Sequence, residues 1–139
     1  PSMRFDLGPS LEEAKAAAIA RVDAAAEKAR LRYLTHGAGQ ALEYQQTEAE
    51  ARAYRAAGYP AFDPELYPFI EAERQAVLIA TGTLPDAAAT ADEIIAQADA
   101  WIAAGSTIKA LRRAAKLQIE AATTHAEIRA AEQIEWPTP

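Results

Sequence analysis

The sequence predicts an all-α fold, an antiparallel helical bundle or hairpin of three to four helices with one long C-terminal helix. Alanine makes up about one quarter of the 139 residues, and alanine has the highest intrinsic helix propensity. Apolar residues recur every three or four positions over long stretches, which is the spacing of one helical face. Because alanine buries little apolar area, we expect closely packed helices held by many small contacts.

Composition excludes several classes of function. The chain has a formal net charge of -6 and a pI near 4.9, which argues against a nucleic-acid or membrane-surface partner, since such partners need clustered Lys and Arg. Cysteine is absent, so disulfides, thiolate metal sites and a cysteine nucleophile are excluded. We find no run of about 18 apolar residues typical of a membrane span, and no secretion signal.

The predicted organisation is a non-helical lead over residues 1–9, one helical domain over 10–134 and a tail over 135–139. Residues 1–2 are interpreted as a remnant of cloning ahead of Met3. Helix one is predicted to begin at Leu11, because Ser10 and Glu13 form an S-x-x-E capping box. It runs to Leu34, and two glycines within residues 35–40 then break it. Its predicted face comprises Leu11, Ala18, Val22, Ala25, Ala29 and Arg32.

Helix two is predicted over residues 41–57 and is closed by Gly58. Residues 59–68 carry three prolines among dense aromatics, which predicts a packed connector because proline interrupts helices. Helix three is predicted from Pro68 to Ala80, since proline is favoured in the first turn, with residues 81–83 ending it. The predicted face of helix two comprises Leu42, Ala49, Ala53 and Ala56.

Helix four is predicted to start at Thr90, where Glu93 completes a second capping box, or one turn earlier after Pro85. It is predicted to run to about Gln133, and the sequence leaves open whether Gly105 interrupts it. The tail that follows contains two prolines and is not helical. The predicted face comprises Ile94, Ala98, Trp101 or Ile102, Gly105, Ile108, Leu111, Ala115, Ile119, Ala122 and Ala126.

The candidate chemical groups favour structural interpretations. His36 lies in the glycine-containing turn and His125 is placed near the C-terminal end of a helix, and neither has a second ligand at metal-binding spacing. Carboxylates lie close in sequence at two places, Glu48 with Glu50 and Asp92 with Glu93. Side chains one or two positions apart on a helix point in different directions, so acid–base catalysis is not indicated. We therefore predict no enzyme activity, no catalytic residue, no cofactor and no metal site.

Two sets of residues are candidates for contacts within the fold or with a partner. The basic cluster Arg112, Arg113 and Lys116 favours a salt-bridged surface over an anion site, and Glu120 lies one turn away. Large side chains on an alanine-rich chain either fill a core or anchor an interface, and for the connector aromatics and Trp101 we favour the core. The candidate partner-interface residues are Tyr59, Phe62, Tyr67, Phe69, Trp101 and Ile119.

Four segments are similar to known proteins: 14–24 (AKAAAIARVDA), 48–54 (EAEARAY), 67–73 (YPFIEAE) and 91–101 (ADEIIAQADAW). In their order and spacing, the chain resembles the alanine-rich helical region of small tail proteins of tailed bacteriophages, of the tail fibre and tail fibre assembly type. The resemblance implies a non-enzymatic structural or assembly protein of a phage or prophage. It implies contacts with tail proteins or with copies of itself, in the virion tail or in the host bacterial cytoplasm during assembly.

A second class of function stays open from the sequence. A bacterial helical adaptor or regulatory protein that binds a partner helix would use the same acidic surface and the same long last helix. An enzyme would need a polar cleft with perturbed titratable groups. The predicted faces contain almost no polar residue to line such a cleft.

Overall fold

The structure, a computed structural model, describes residues 8–33 and 38–139, and every regular element within these residues is a helix. The prediction of an all-α fold with one long helix near the C-terminus is confirmed. The described residues form five helices in place of the expected three to four, because the last predicted helix is divided in two. The helices are α1 (Leu11–Arg30), α2 (Ala38–Ala56), α3 (Pro68–Thr81), α4 (Ala87–Ala121) and α5 (His125–Ala131).

The chain divides into two compact units, a division that was not part of the prediction of one helical domain. The terminal unit comprises residues 1–34 and 103–139, and the central unit comprises residues 35–102. Helix α4 is continuous through Gly105, which answers the question that the sequence left open. Residues 1–7 and the turn residue His36 lie outside the described part of the chain.

Helix α1 begins where the sequence predicts. The Ser10 side chain accepts a hydrogen bond from the Glu13 backbone N–H at 3.2 Å, and this bond satisfies one of the free donors at the helix start. The helix ends at Arg30, short of the expected Leu34. Ala18, Val22 and Ala29 lie on the buried face as predicted, whereas Ala25 and Arg32 do not. The buried residues of α1 are Ala14, Ala18, Val22, Ala26 and Ala29.

The terminal unit has a core built mainly from alanine and isoleucine. Ile108 and Ile119 of α4 are fully buried there, and Ile128 of α5 packs into the same cluster as Ile119. The non-helical tail is not detached from this core, because Trp136 packs against both clusters of buried residues in the unit. The indole is the largest apolar side chain packed on these clusters, and it adds to the bulk that the isoleucines supply.

A capping box separates α5 from α4, so the prediction of one helix reaching Gln133 is wrong. The Thr124 side chain accepts from the Glu127 backbone N–H at 3.1 Å. The Glu127 carboxylate reaches back to the Thr123 backbone N–H, also at 3.1 Å. This T-x-x-E pattern satisfies backbone donors at the start of a new helix. Apolar residues on both sides of the break hide it in the sequence.

Helix α2 starts three residues earlier than predicted and buries a different face. Ala51 and Tyr54 are buried, whereas the predicted face residues Leu42, Ala49, Ala53 and Ala56 are all exposed. Alanines lie on every side of this helix, so their spacing does not mark a face. Tyr54 marks it, because its ring has by far the largest apolar area in the second half of the helix.

Helix α3 begins at the predicted Pro68 and ends at Thr81, one residue beyond the predicted Ala80. Pro68 occupies its first position, and Gly82 follows its last residue in the left-handed conformation at φ 80°, a backbone geometry that glycine adopts without strain. Gly58 closes α2 in a similar way at φ 82°. The signals at the ends of these helices are local, which explains why they can be read from the sequence.

Helix α4 begins after Pro85, the earlier of the two predicted starts. The Asp86 carboxylate accepts from the Ala89 backbone N–H at 3.0 Å and acts as the N-cap. The Thr90 hydroxyl instead donates to the Asp86 carbonyl oxygen at 2.8 Å, within the first turn. The predicted face is only partly correct. Ile95 and Ala104 are buried in place of Ile94 and Gly105, and Ala126 is exposed. The predicted face residues that are buried are Ile108, Ala115, Ile119 and Ala122.

Candidate functional site

The connector between α2 and α3 forms an aromatic cluster around Tyr54. The Tyr54 ring centroid lies 5.0 Å from that of Tyr67, 5.6 Å from that of Phe62 and 5.7 Å from that of Tyr59, all with edge-to-face geometry. The Tyr54 hydroxyl donates to the Pro60 carbonyl oxygen at 2.7 Å. Edge-to-face pairs stabilise beyond their buried area. The aromatic side chains of residues 59–68 thus pack on Tyr54 as predicted for this connector, whereas most of its other residues, Leu66 among them, are exposed.

Arg74 of α3 holds three parts of the central unit together, a role that the sequence did not reveal. Its guanidinium lies over the Phe62 ring, 4.8 Å from the centroid. It pairs with Glu71 at 2.7 Å and donates through Nε to the Pro85 carbonyl oxygen at 2.9 Å. Only 16% of the side chain is exposed. The available signal was the spacing of Glu71 and Arg74, which places opposite charges on one helical face.

Tyr59 adopts a backbone conformation that is rare for a large side chain, with φ 54°. Its hydroxyl donates to the Asp92 carboxylate of α4. This hydrogen bond is the largest cause of a raised Tyr59 pKa, with burial adding to it. Arg55 lies 4.0 Å from the same carboxylate. Asp92 thus fixes the connector to α4, a structural role that differs from acid–base catalysis with Glu93.

Glu50 of α2 is a second candidate carboxylate, after Asp92, that has a structural role. Both of its carboxylate oxygens accept from the Phe69 backbone N–H at 3.0 Å. The preceding Tyr67 provides no side-chain cap for α3, so Glu50 takes that place from another helix. Burial raises the pKa of Glu50, and the hydrogen bonds from the Phe69 and Ile70 backbone oppose this shift.

The predicted partner-interface residues lie in three different environments. Tyr67 and Ile119 are buried in the cores of the central and terminal units, so neither has a surface to offer a partner. Phe62, Phe69 and Trp101 are half-buried, and Tyr59 is exposed. The favoured core position for Trp101 is therefore wrong, because this side chain keeps part of its surface in solvent. For these four residues, a role in partner binding stays a prediction.

The basic cluster of α4 pairs across the terminal unit. The Asp23 carboxylate of α1 accepts from Arg112 at 3.2 Å and from Lys116 at 3.2 Å. The hydrogen bonds from Lys116 and then from Arg112 lower the pKa of Asp23, against a smaller opposing effect of burial. Two of the three cluster residues thus form the expected salt bridges, but with Asp23 and not with Glu120. Arg113 is exposed.

His125 is the first residue of α5, so its predicted position near the C-terminal end of a helix is wrong. The Thr124 cap places it at the opposite end, where its Nε2 donates to the Pro9 carbonyl oxygen at 3.1 Å. An open groove of about 440 Å³ lies beside it, between α1 and α5. The groove residues are Pro9, Ala14, Ala17, Arg21, His125, Ile128, Arg129 and Glu132.

Several large apolar side chains lie outside both cores. Between residues 66 and 84 of the central unit, Ile79 is 84% exposed and Leu66 is 65% exposed, with Val77 and Leu84 also exposed. Single exposed apolar residues are ordinary on a protein surface. Four of them in this short part of an alanine-rich chain are candidate contact residues, and we call this set the 66–84 surface. Val77 and Ile79 lie two positions apart on α3 and therefore face different directions.

The described residues give further limits on the site. Within 8–33 and 38–139, no group of three or more Asp, Glu or His side chains is placed to hold a metal ion. None of the helices there combines the length and the apolar character needed to cross a membrane. Comparison of the chain with protein-family models, with curated proteins and with solved structures finds no match.

Proposed function

We propose that this chain is a non-enzymatic structural or assembly protein of a bacteriophage or prophage tail. In this proposal it acts through helix-mediated contacts with other tail proteins or with copies of itself, in the virion tail or in the host cytoplasm during assembly. The resemblance of segments 14–24, 48–54, 67–73 and 91–101 to small phage tail proteins supports the proposal.

The observation that carries the proposal is the 66–84 surface. The cores use mainly alanine, while side chains as large as Ile79 and Leu66 stay in solvent. Burying such side chains in a contact with another protein would contribute about 25 cal/mol per Å² of apolar area. Ile79 and Leu66 contribute little to the core of this protein, so their apolar area is available to a partner.

The titratable groups with shifted pKa values favour a scaffold over a reaction centre. Glu50 caps a helix, and Asp23 pairs two helices. The pKa of Glu71 is lowered mainly by its hydrogen bond from Gln75, with Arg74 adding to the effect. Each of these carboxylates has a structural partner, whereas a catalytic carboxylate has its pKa matched to a reacting group.

Affinity purification from bacteria in which the phage or prophage is induced tests the proposal. The tagged full chain is expected to enrich tail subunits, as identified by mass spectrometry. Ile79→Gln is expected to weaken this enrichment, because it removes the most exposed apolar side chain of the 66–84 surface. Ala53→Gln, which adds the same polar group at an exposed position of α2, is the matched control. Enrichment of host regulators without tail subunits would overturn the tail assignment in favour of a bacterial adaptor.

A further inference from the structure

The groove beside α5 combines a small apolar floor with a cationic rim. Ala14 and Ala17 of α1 and Ile128 of α5 form apolar parts of its lining. Arg21 and Arg129 contribute guanidinium groups. The volume of about 440 Å³ lies in the range of sites that hold small ligands or short peptide segments. Alanine at the floor allows a peptide backbone to approach α1 closely.

The one carboxylate in the lining, that of Glu132, is already engaged. It pairs bidentately with Arg21 through Nε at 2.6 Å and Nη2 at 3.0 Å. The pair uses two of the N–H donors of the Arg21 guanidinium, and 61% of this side chain is exposed. Its remaining donors therefore stay available.

Arg129 has no ion pair within residues 8–33 and 38–139, and it is exposed. Counting Arg21, Arg129 and Glu132, the groove carries a formal charge of +1, on a chain of net charge -6. This local reversal of sign favours an anionic ligand. The acidic remainder of the protein repels a long polyanion such as nucleic acid more strongly than a short acidic segment.

We propose that this groove binds an acidic peptide segment of a partner protein. Carboxylates of the segment pair with Arg129 and with the free edge of the Arg21 guanidinium, and the peptide backbone lies over Ala14 and Ala17. Planar guanidinium groups suit this role because they bind carboxylates with two parallel hydrogen bonds. The inference rests on the proposed function in protein binding and names the chemistry of one partner.

Titration of the ¹⁵N-labelled full chain with a hexaglutamate peptide, followed by NMR, tests the inference. Chemical-shift changes are expected to concentrate at residues 14–21 and 125–132. Arg129→Glu is expected to weaken binding at least about threefold, a modest effect typical of exposed ion pairs. Arg113→Glu is the matched control, because it makes the same charge change at an exposed position outside the groove and is expected to leave binding unchanged.

Three results would overturn the inference. They are equal loss of binding in the two variants, shift changes away from the groove, and equal binding of an oligothymidine of the same charge. If Arg129→Glu does not fold, as judged by circular dichroism, Arg129→Gln makes the same comparison against Arg113→Gln. If hexaglutamate does not bind at the groove but the tagged chain still enriches tail subunits, the proposed peptide site is rejected and the tail assignment stands. If the tagged chain does not enrich tail subunits but hexaglutamate binds at the groove, the tail assignment is rejected and the peptide site stands.

Discussion

The carboxylate of Glu50 on α2 caps the backbone N–H of Phe69 at the start of α3, with both oxygens 3.0 Å from the nitrogen. Pro68 removes one backbone donor at this helix start, and Glu50 satisfies the next. A side chain of one helix thus caps the start of the neighbouring helix. Such a contact links the packing of α2 against α3 to the local structure of α3.

Replacing Glu50 by alanine and by glutamine distinguishes the effect of its hydrogen bond to Phe69 from the effect of its negative charge. Glu50→Gln keeps an oxygen acceptor, whereas Glu50→Ala leaves the Phe69 donor without one. We expect the alanine variant to be less stable than the glutamine variant by about 1 kcal/mol, the usual cost of losing a helix cap. Urea unfolding at pH 7 measures the difference, and equal stability of the two variants would contradict the assigned cap.

The raised pKa of Glu50 predicts a pH dependence with a defined sign. Because the folded state holds this proton more tightly than the unfolded state, the contribution of Glu50 is fully present below its ordinary pKa of 4.5. It is lost as the pH rises through the higher pKa of the folded state. Relative to Glu50→Gln, the unmodified protein should lose stability as the pH rises above 4.5, the ordinary pKa of the group. Glu43→Gln, at an exposed position of α2, should not change the slope.

Asp23 predicts the opposite dependence in the terminal unit. Its pKa is lowered by Lys116 and Arg112, so its stabilising effect is present above the ordinary pKa of 3.8. The effect is lost as the pH falls through the lower pKa of the folded state. We expect Asp23→Asn to reduce stability near pH 7 and to approach the unmodified protein in strong acid. Unfolding curves from about pH 2 to 7 measure this, with Glu120→Gln as an exposed control.

Two residues that lie two positions apart on α4, and so point to different sides of the helix, compare the core of the terminal unit with its surface. Ile119 is fully buried and Leu117 is 53% exposed. Ile119→Ala should destabilise the protein by about 2–5 kcal/mol through lost apolar burial and a new cavity. Leu117→Ala should change stability by no more than about 0.5 kcal/mol. Chemical denaturation measures both, and similar losses would mean that the assigned face of α4 is incorrect.

Lysine is not an adequate replacement for Arg74. Arg74→Lys keeps the charge but cannot stack a planar group on Phe62 while also bonding Glu71 and the Pro85 carbonyl. We expect a loss of about 1–2 kcal/mol in thermal or urea unfolding. Arg55→Lys, where the side chain is 55% exposed, is the control and should be nearly neutral. An equal effect in both would refute the proposed role of Arg74.

Self-association is expected at high protein concentration because of the 66–84 surface. Size-exclusion chromatography with light scattering should show a mass above 14.9 kDa that falls on dilution. Ile79→Gln should shift the distribution towards the monomer, since it removes an apolar side chain from that surface. A strict monomer at high concentration would exclude self-association as part of the function.

The sequence was most informative where structure depends on neighbours along the chain. Ser10, Pro68 and Gly82 each act on the backbone within a few positions of themselves, Ser10 through its side chain, and the helix ends predicted from them agree with the structure to within one residue. The Thr124 cap obeys the same rule, and it was missed because the helical pattern continues across it.

Helix faces were harder to predict because they depend on what packs against them. Ile94 and Ile95 are equally apolar, and only the neighbouring helices decide that Ile95 is buried. The contacts that join distant segments, such as Arg21 with Glu132, leave no periodic pattern. Their partners lie 111 positions apart, so charge alone gives no means of pairing them.

The two tryptophans are divided between the two units, since Trp101 belongs to the central unit and Trp136 to the terminal unit. Each unit therefore contains one tryptophan as a fluorescent probe. Emission from single-tryptophan variants can report whether the units melt together or in sequence. A change in this emission on addition of a partner would also show which unit the partner contacts or rearranges.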